Sequence, residues 1–303
     1  MFSNMFHAFK FPVSMMFLVA LFSIGLLVQK PISVSAFQDF RIVQRPDRIE
    51  QMAKMRGEQE KARPVLKIME PAEEAVIRSS TVKVRLEISG DLKGYMPMMD
   101  HSTKMGNHIH VILDNQAYEA YYNLGREFEL RNVSDGEHTL RVFPSRPWHE
   151  SYKNDGAFQI VRFTVKNGGA DVTKPATTAN GALMSDPSEG KDMQPSNAGN
   201  VDRKKPLLTF SRPKGSYAGV EAESIMIDFW LANAKLTGDG GNYRVYYSVN
   251  GGTPRVKENW SPLWISGLGP GKHSVELWLV DKYGDPVENG GYNRTKREFT
   301  VVQ

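Results

Sequence analysis

The chain has 303 residues, a net charge of +4, seven histidines, 14 methionines and no cysteine. The missing cysteines exclude disulfide stapling, thiolate metal sites and a cysteine nucleophile, and leave imidazole and thioether as the soft ligands. The positive charge is dispersed, with Arg203–Lys205 as its one basic run, a pattern that suits solubility and offers little to a nucleic acid.

Residues 1–36 read as a signal peptide. Lys10 precedes the apolar run Phe11–Val28, and Val34-Ser35-Ala36 is a small-x-small cleavage pattern. The run is close to the ~20 residues that span a bilayer, so a membrane becomes a partner if the segment stays uncleaved. Pro12 and two serines inside the run favour cleavage, and with it a periplasmic or extracellular address. Residues 37–63 form a charged spacer. Pro46 followed by Asp47 and Glu50 predicts a short helix start, but Ile49, Met52 and Met55 are its sparse apolar positions, so a solvated, partly helical segment is expected.

Residues 64–166 predict strands. Val82-Lys-Val84-Arg-Leu86-Glu-Ile88 alternates apolar and charged residues, as do Ile109, Val111 and Leu113, then Leu140 and Val142. Turn residues separate them at Ser89-Gly90, Asp114-Asn115, Ser134-Asp-Gly136 and Asn154-Asp-Gly156. Residues 167–205 are small and polar with hardly a large apolar side chain, which predicts a disordered linker that lets its flanking domains bind independently. Residues 206–303 repeat the first domain. Phe128–Phe143 aligns with Leu263–Trp278 at a constant spacing of 135, and Gly106-Asn-His108 aligns with Gly241-Asn-Tyr243. The fold class that follows is all-β: two β-sandwiches after a signal peptide, joined by a disordered linker.

The repeat sorts the histidines. His138 and His273 are equivalent, so both are expected to serve the fold, each bonding a backbone carbonyl at its hairpin. His101, His108, His110 and His149 have no counterpart; Tyr243 and Val245 stand opposite His108 and His110. Residues i and i+2 of a strand share a face. His108 and His110 therefore point together, opposite the core face of Ile109, Val111 and Leu113, onto an outer surface or groove. Two histidines so placed can chelate a metal if a loop brings a further ligand. One candidate loop holds Met96, Met98, Met99, His101 and Met105; the other is Pro147–Lys153, with His149. Thioethers favour Cu(I), and imidazoles accept Cu(II) or Zn(II). No motif marks a cofactor; copper is the candidate this cluster offers. A metal site requires His108 and His110 to converge with another ligand. A glycan or peptide groove, lined by Trp148, Glu150, Tyr118, Tyr121 and Tyr122, instead requires the aromatics to lie exposed beside the histidines.

The element Leu-x-x-Val/Leu-x-x-Gly-x-His-x-Leu/Val resembles the late hairpin of bacterial immunoglobulin-like and fibronectin-like modules. The Met/His loop on a small exported β-sandwich resembles periplasmic copper carriers of the CopC type. Those carriers ligate through the histidine at the mature N-terminus, where this chain would begin with Phe37. His108-Ile-His110-Val-Ile-Leu-Asp114-Asn115 together with Phe143–Phe158 is similar to a group of exported bacterial proteins with immunoglobulin-like domains, a resemblance that implies fold and address but no activity. No nucleophile elbow, zinc-protease helix, phosphate loop or dinucleotide fingerprint occurs. The sequence thus reads as an exported, non-enzymatic binding or structural protein whose partner is an extracytoplasmic protein, a glycan or a metal. A periplasmic copper-binding or other metal-binding protein is the alternative.

Overall fold

A computed structural model of the chain describes residues 40–166 and 189–302. The signal peptide read over residues 1–36 and the linker's residues 167–188 lie outside the described residues. Among the described residues no helix is long and apolar enough to cross a membrane.

The chain begins with β1 (Arg41–Val43), α1 (Asp47–Arg56) and a 3-10 turn. Eight strands follow: β2 (Arg63–Glu70), β3 (Ala75–Ile77), β4 (Val82–Asp91), β5 (His108–Leu113), β6 (Glu119–Tyr121), β7 (Phe128–Arg131), β8 (Gly136–Ser145) and β9 (Gln159–Val165). A short β10 (Gly190–Asp192) precedes β11 (Leu207–Arg212), β12 (Gly215–Tyr217), α2 (Val220–Glu223) and β13 (Ile225–Ala232). The chain closes with β14 (Tyr243–Val249), β15 (Arg255–Lys257), β16 (Leu263–Ser266), β17 (Gly271–Asp281) and β18 (Arg294–Val301).

Two sandwiches result. The first pairs the sheet β10-β7-β4-β2 with the sheet β3-β9-β8-β5-β6, and the second pairs β1-β16-β13-β11 with β12-β18-β17-β14-β15. The strand orders are equivalent, as the internal repeat predicts. Each sandwich closes on its own core: Val82, Val84, Leu86, Ile109, Val111, Leu140 and Val142 in the first, and Ile227, Phe229, Val245, Tyr247, Val275 and Leu277 in the second. Alternation along β4 puts its valines and leucine inside and its lysine, arginine and glutamate in water.

Asp114 and Asn250 open equivalent hairpins with φ of 51° and 53°, a backbone region these two residue types tolerate. Asp114 Oδ1 accepts the Thr139 N–H, as Asn250 Oδ1 accepts that of Ser274, both at 2.9 Å. The Nε2–H of His138 donates to the Ser134 carbonyl at 2.8 Å, and that of His273 to the Gly269 carbonyl at 2.7 Å. This is the fold role expected of the repeated histidine.

Four expectations are corrected. Residues 189–205, read as linker, are packed: β10 pairs parallel with β7, and Met193, Ala198 and Val201 are buried. A few small or flexible apolar side chains suffice when the surface they cover already exists. The spacer is not merely solvated either. In α1 Ile49 and Ala53, four residues apart on one helical face, pack with Trp148 of the first sandwich and with Met226 and Trp264 of the second, while β1 pairs with β16 to complete a sheet of the second sandwich. One edge strand of each sandwich, β10 in the first and β1 in the second, thus comes from a segment that composition alone assigned to connectors.

The third correction is that the sandwiches are not independent. The described residues of both belong to one compact unit. The outer face of β5 and β8 lies against β11 and β13, where Ile112, Tyr118, Phe143 and Ala157 meet Trp230. Arg141, 1% exposed, donates to Thr209 Oγ1 at 2.7 Å. Asp228 is fully buried and accepts hydrogen bonds from the Ser151 N–H and hydroxyl at 3.0 and 2.7 Å, and an ion pair from Lys153 Nζ at 2.6 Å. Because of this contact β5 is buried along its whole length, so the histidine face is not the outer surface or open groove expected of it.

The fourth concerns register. Val111 pairs with Val142 and Tyr247 with Leu277. His110 faces Phe143 and Tyr246 faces Trp278. Arg244 and Tyr246, rather than Tyr243 and Val245, therefore hold the places of His108 and His110, because the second copy enters its strand one residue out of step. The second sandwich still has no histidine there.

Candidate metal centre

His108 and His110 project from β5 on the face opposite Ile109 and Val111 and are each 0% exposed. His149 comes from the turn after β8. Its φ of 70° puts a non-glycine residue in the left-handed region, a costly conformation that clusters at functional sites. The turn is closed by the His149 N–H on the Arg146 carbonyl at 2.9 Å. It brings His149 Nδ1 to 2.9 Å from His108 Nε2, while His110 Nε2 lies 3.0 Å from the same atom. One ligand nitrogen from each of the three rings lies within 4.8 Å of the others.

The proton balance of this cluster is instructive. His108 Nδ1 sits 2.8 Å from the Gly106 carbonyl. A carbonyl only accepts, so Nδ1 carries the proton and Nε2 of the neutral ring presents one lone pair. Two other ring nitrogens crowd that lone pair: His110 Nε2–H can donate to it, but His149 Nδ1, which can then accept from the Tyr118 hydroxyl, faces it lone pair to lone pair. A cation at the centre would draw on all three lone pairs at once. In that arrangement His110 would donate Nδ1–H to Ser211 Oγ, 3.1 Å away on β11, leaving its Nε2 lone pair free to ligate. Fixing a ligand ring through its other N–H is the usual support of a histidine metal site. Metal–nitrogen bonds of about 2.0–2.1 Å put tetrahedral nitrogens about 3.3 Å apart, so the 2.9 and 3.0 Å contacts would open slightly and the third pair, within 4.8 Å, would close on binding.

All three rings are neutral at ordinary pH. Burial holds His108 down to a pKa of about 3, against the push of the Gly106 hydrogen bond. Burial also holds His110 well below its usual value, helped by neighbouring His108, and does the same to His149, helped by the Arg212 charge. Neutral imidazole is the ligating form. Aromatic rings fix the cluster: Tyr118 stacks on His110 at 3.6 Å between centroids, and Tyr122 and Phe143 lie 5.1 and 5.0 Å from His108 and His110. Tyr118 Oη is 3.1 Å from His149 Nδ1, and burial pushes its pKa up, so it is a neutral phenol.

The other sequence candidates fall elsewhere. The methionine loop folds back on itself, with Met98 N–H on Asn107 O at 2.9 Å and Asp100 N–H on Met105 O at 2.7 Å. That ribbon leaves His101 exposed at its tip and Met96 and Met98 on the surface. Met99 is half-buried, and of the four methionines Met105 alone lines the cavity beside His149. The thioethers are therefore not gathered with the imidazoles. The expected aromatic groove is not there either: Trp148, Tyr118 and Tyr121 are 6, 3 and 0% exposed. Tyr121 faces the core of the first sandwich. Tyr122 is half-buried beside His108. Burial works against charge on Glu150, but Arg146, Arg45 and the Trp148 N–H outweigh it and hold the carboxyl below its usual range. Those partners occupy it, so it is not a free ligand.

Sequence reasoning missed Ser211 and Arg212, which reach the site only because the sandwiches dock. It aligned Gly106 with Gly241 but gave it no role at the site. A Cβ there would stand 1.9 Å from the Met98 carbonyl oxygen. Gly106→Ala is expected to push the loop away, release the Gly106–His108 hydrogen bond and cost about 1–3 kcal/mol, seen as a lower midpoint in thermal unfolding. An unchanged midpoint would contradict it.

Ser196, Asp114 and His138 supply the residue types of a hydrolytic triad, but not its order. The Ser196 hydroxyl donates to Asp114 Oδ2 at 2.6 Å, and both nitrogens of His138 are taken, by Asp114 and the Ser134 carbonyl. The serine therefore has no base.

No family model and no curated protein matches the sequence, so the copper-carrier resemblance finds no support there. Among solved structures the chain is similar to the fibronectin(III)-like modules of Clostridium thermocellum CbhA, at 9% identity over 78% of this chain and 94% of that one, with a TM-score of 0.25. It is similar to the D00-D0 domain of intimin at 12% identity over 80% and 100% of the two chains, TM-score 0.23. A third match is Bacteroides ovatus SGBP-B in complex with a mixed-linkage heptasaccharide, at 11% identity over 78% and 70%, TM-score 0.21. Likenesses this weak carry no ligand and no family to this chain; its β-sandwich architecture rests on its own sheets.

Proposed function

We propose that this two-sandwich protein is an exported metal-binding protein that holds one late first-row transition-metal ion on His108 Nε2, His110 Nε2 and His149 Nδ1. Export rests on the sequence of residues 1–36. The observation that carries the metal reading is the convergence of the three imidazoles, with contacts of 2.9 and 3.0 Å about one lone pair. Three nitrogen ligands and no gathered thioether suit Cu(II) and Zn(II), with Cu(II) the tighter by the general order of divalent affinities. The second sandwich serves as the wall that dries the site and supplies Ser211.

Titration of the metal-free protein with Cu(II) and Zn(II) tests this. Binding of one ion per chain is expected, weakened at least about 100-fold in His149→Gly. Glycine accepts the positive φ at that position, so the variant removes the ligand and keeps the turn. Affinity unchanged in His149→Gly, or no stoichiometric binding, contradicts the proposal.

A further inference from the structure

A cavity of about 370 Å³ opens beside His149, between α1, the methionine loop and the second sandwich. Its volume is in the range of small-molecule sites. Arg48, Lys104 and Arg212 line it, against one carboxylate, Glu221. The Arg212 guanidinium donates through Nη1 to Tyr217 Oη and to the Lys214 carbonyl, both at 3.1 Å. Among the described residues no carboxylate comes within ion-pair distance of it. Lys214, by contrast, is paired with Glu119 at 3.2 Å. The opposite wall is apolar, made by Trp148, Trp264 and Met226.

Charge balance gives this cavity a meaning, provided the metal reading above holds. Three neutral imidazoles leave a divalent ion with its full charge among buried rings. Arg212 adds a further positive charge close by, and Glu221, at longer range than an ion pair, is the one carboxylate that lines the cavity and acts on it. Buried charge at that density needs a counter-ion. Three protein ligands also leave a tetrahedral ion one open position, and His149 is the ligand that borders the cavity. We infer that the cavity admits a small organic carboxylate, which takes the open coordination position through one oxygen, pairs with Arg212, and lays its apolar body against Trp148 and Trp264. A guanidinium matches the planar carboxylate in a way an ammonium does not. The aromatic wall favours an acid with a ring or branched chain over a bare inorganic anion.

The test uses the protein loaded with Co(II), whose visible bands report the coordination sphere, titrated with benzoate and with acetate. Benzoate is expected to change the bands saturably and to bind about tenfold tighter than acetate. In Arg212→Gln benzoate should weaken on the order of tenfold or more while Co(II) stoichiometry stays at one. Arg212 is largely enclosed, so Lys104→Gln on the exposed loop is the companion variant, with a loss of about two- to threefold expected. Co(II) bands that ignore benzoate, or equal benzoate affinity in wild type and both variants, overturn the inference and leave the metal reading standing. Acetate binding as tightly as benzoate overturns the role of the aromatic wall. A protein that takes up no Co(II) fails earlier, at the metal reading, and this inference falls with it.

Discussion

Asp228→Ala is expected to cost about 3–5 kcal/mol of stability, the usual consequence of removing one partner from a buried ion pair. The carboxylate is fully buried on β13 and serves three donors of the first sandwich: the Ser151 N–H, the Ser151 hydroxyl and Lys153 Nζ. Alanine takes the counter-charge from the Lys153 ammonium, which keeps only the Ser151 hydroxyl and the Trp260 face, and strips the Ser151 N–H of its acceptor inside the contact between the sandwiches. The loss is expected as a fall in the urea midpoint and a melting temperature lower by roughly 10 °C or more. Ser211 and Arg212 sit on β11, whose register sets Arg212 opposite Asp228. Loosening this contact is therefore expected to weaken metal binding as well, although Asp228 touches none of the three histidines. An Asp228→Ala protein of wild-type stability would mean that the two sandwiches do not hold each other as described.

The second large effect is acid lability of the metal-free protein. His108 has a pKa of about 3 in the folded chain, against an ordinary value near 6.5 in an unfolded one. Above pH 6.5 both states are neutral and the ring contributes no pH dependence. Below it the unfolded chain binds protons that the folded chain refuses, so stability falls as the pH drops from 6.5 towards 3. His108 alone accounts for about 2 kcal/mol at pH 5, and His110 and His149, depressed chiefly by the same burial, add to it. His138 works the other way. Burial opposes its charge, but Asp114 raises its pKa, so its contribution is present in acid and is lost as the pH rises through the folded value. Three groups against one leave a net loss in acid. Denaturant unfolding at pH 7, 6 and 5 is expected to show it, with a shallower slope in His110→Leu. A slope that His110→Leu does not change would contradict the burial of these rings.

The repeat made both sandwiches legible. Phe128–Phe143 against Leu263–Trp278 fixed equivalent hairpins, and β4, with its alternation of valine and charge, lies in the structure as the pattern predicts. The His108–His110 pairing was legible for the same reason, since a strand's period of two leaves no other choice of face. What covers that face was not. His110 meets Ser211 across 101 positions of chain, and nothing local in either segment announces the contact. Residues 189–205 and the helix at Asp47–Arg56 misled for a related reason. Ile49, Ala53, Met193 and Val201 are too few to build a core but enough to finish one. Methionine density misled differently: Met96 and Met98 are close to His108 in sequence, yet the loop pairs with itself and points them outward. His149 was found by chemistry and placed by its turn.

Crystals of the protein grown with zinc, and an anomalous difference map at the zinc edge, test the metal centre most directly. A single strong peak is expected about 2.0–2.1 Å from His108 Nε2, His110 Nε2 and His149 Nδ1. A map with no peak among these three nitrogens, or with zinc only at surface groups such as His101, would contradict it.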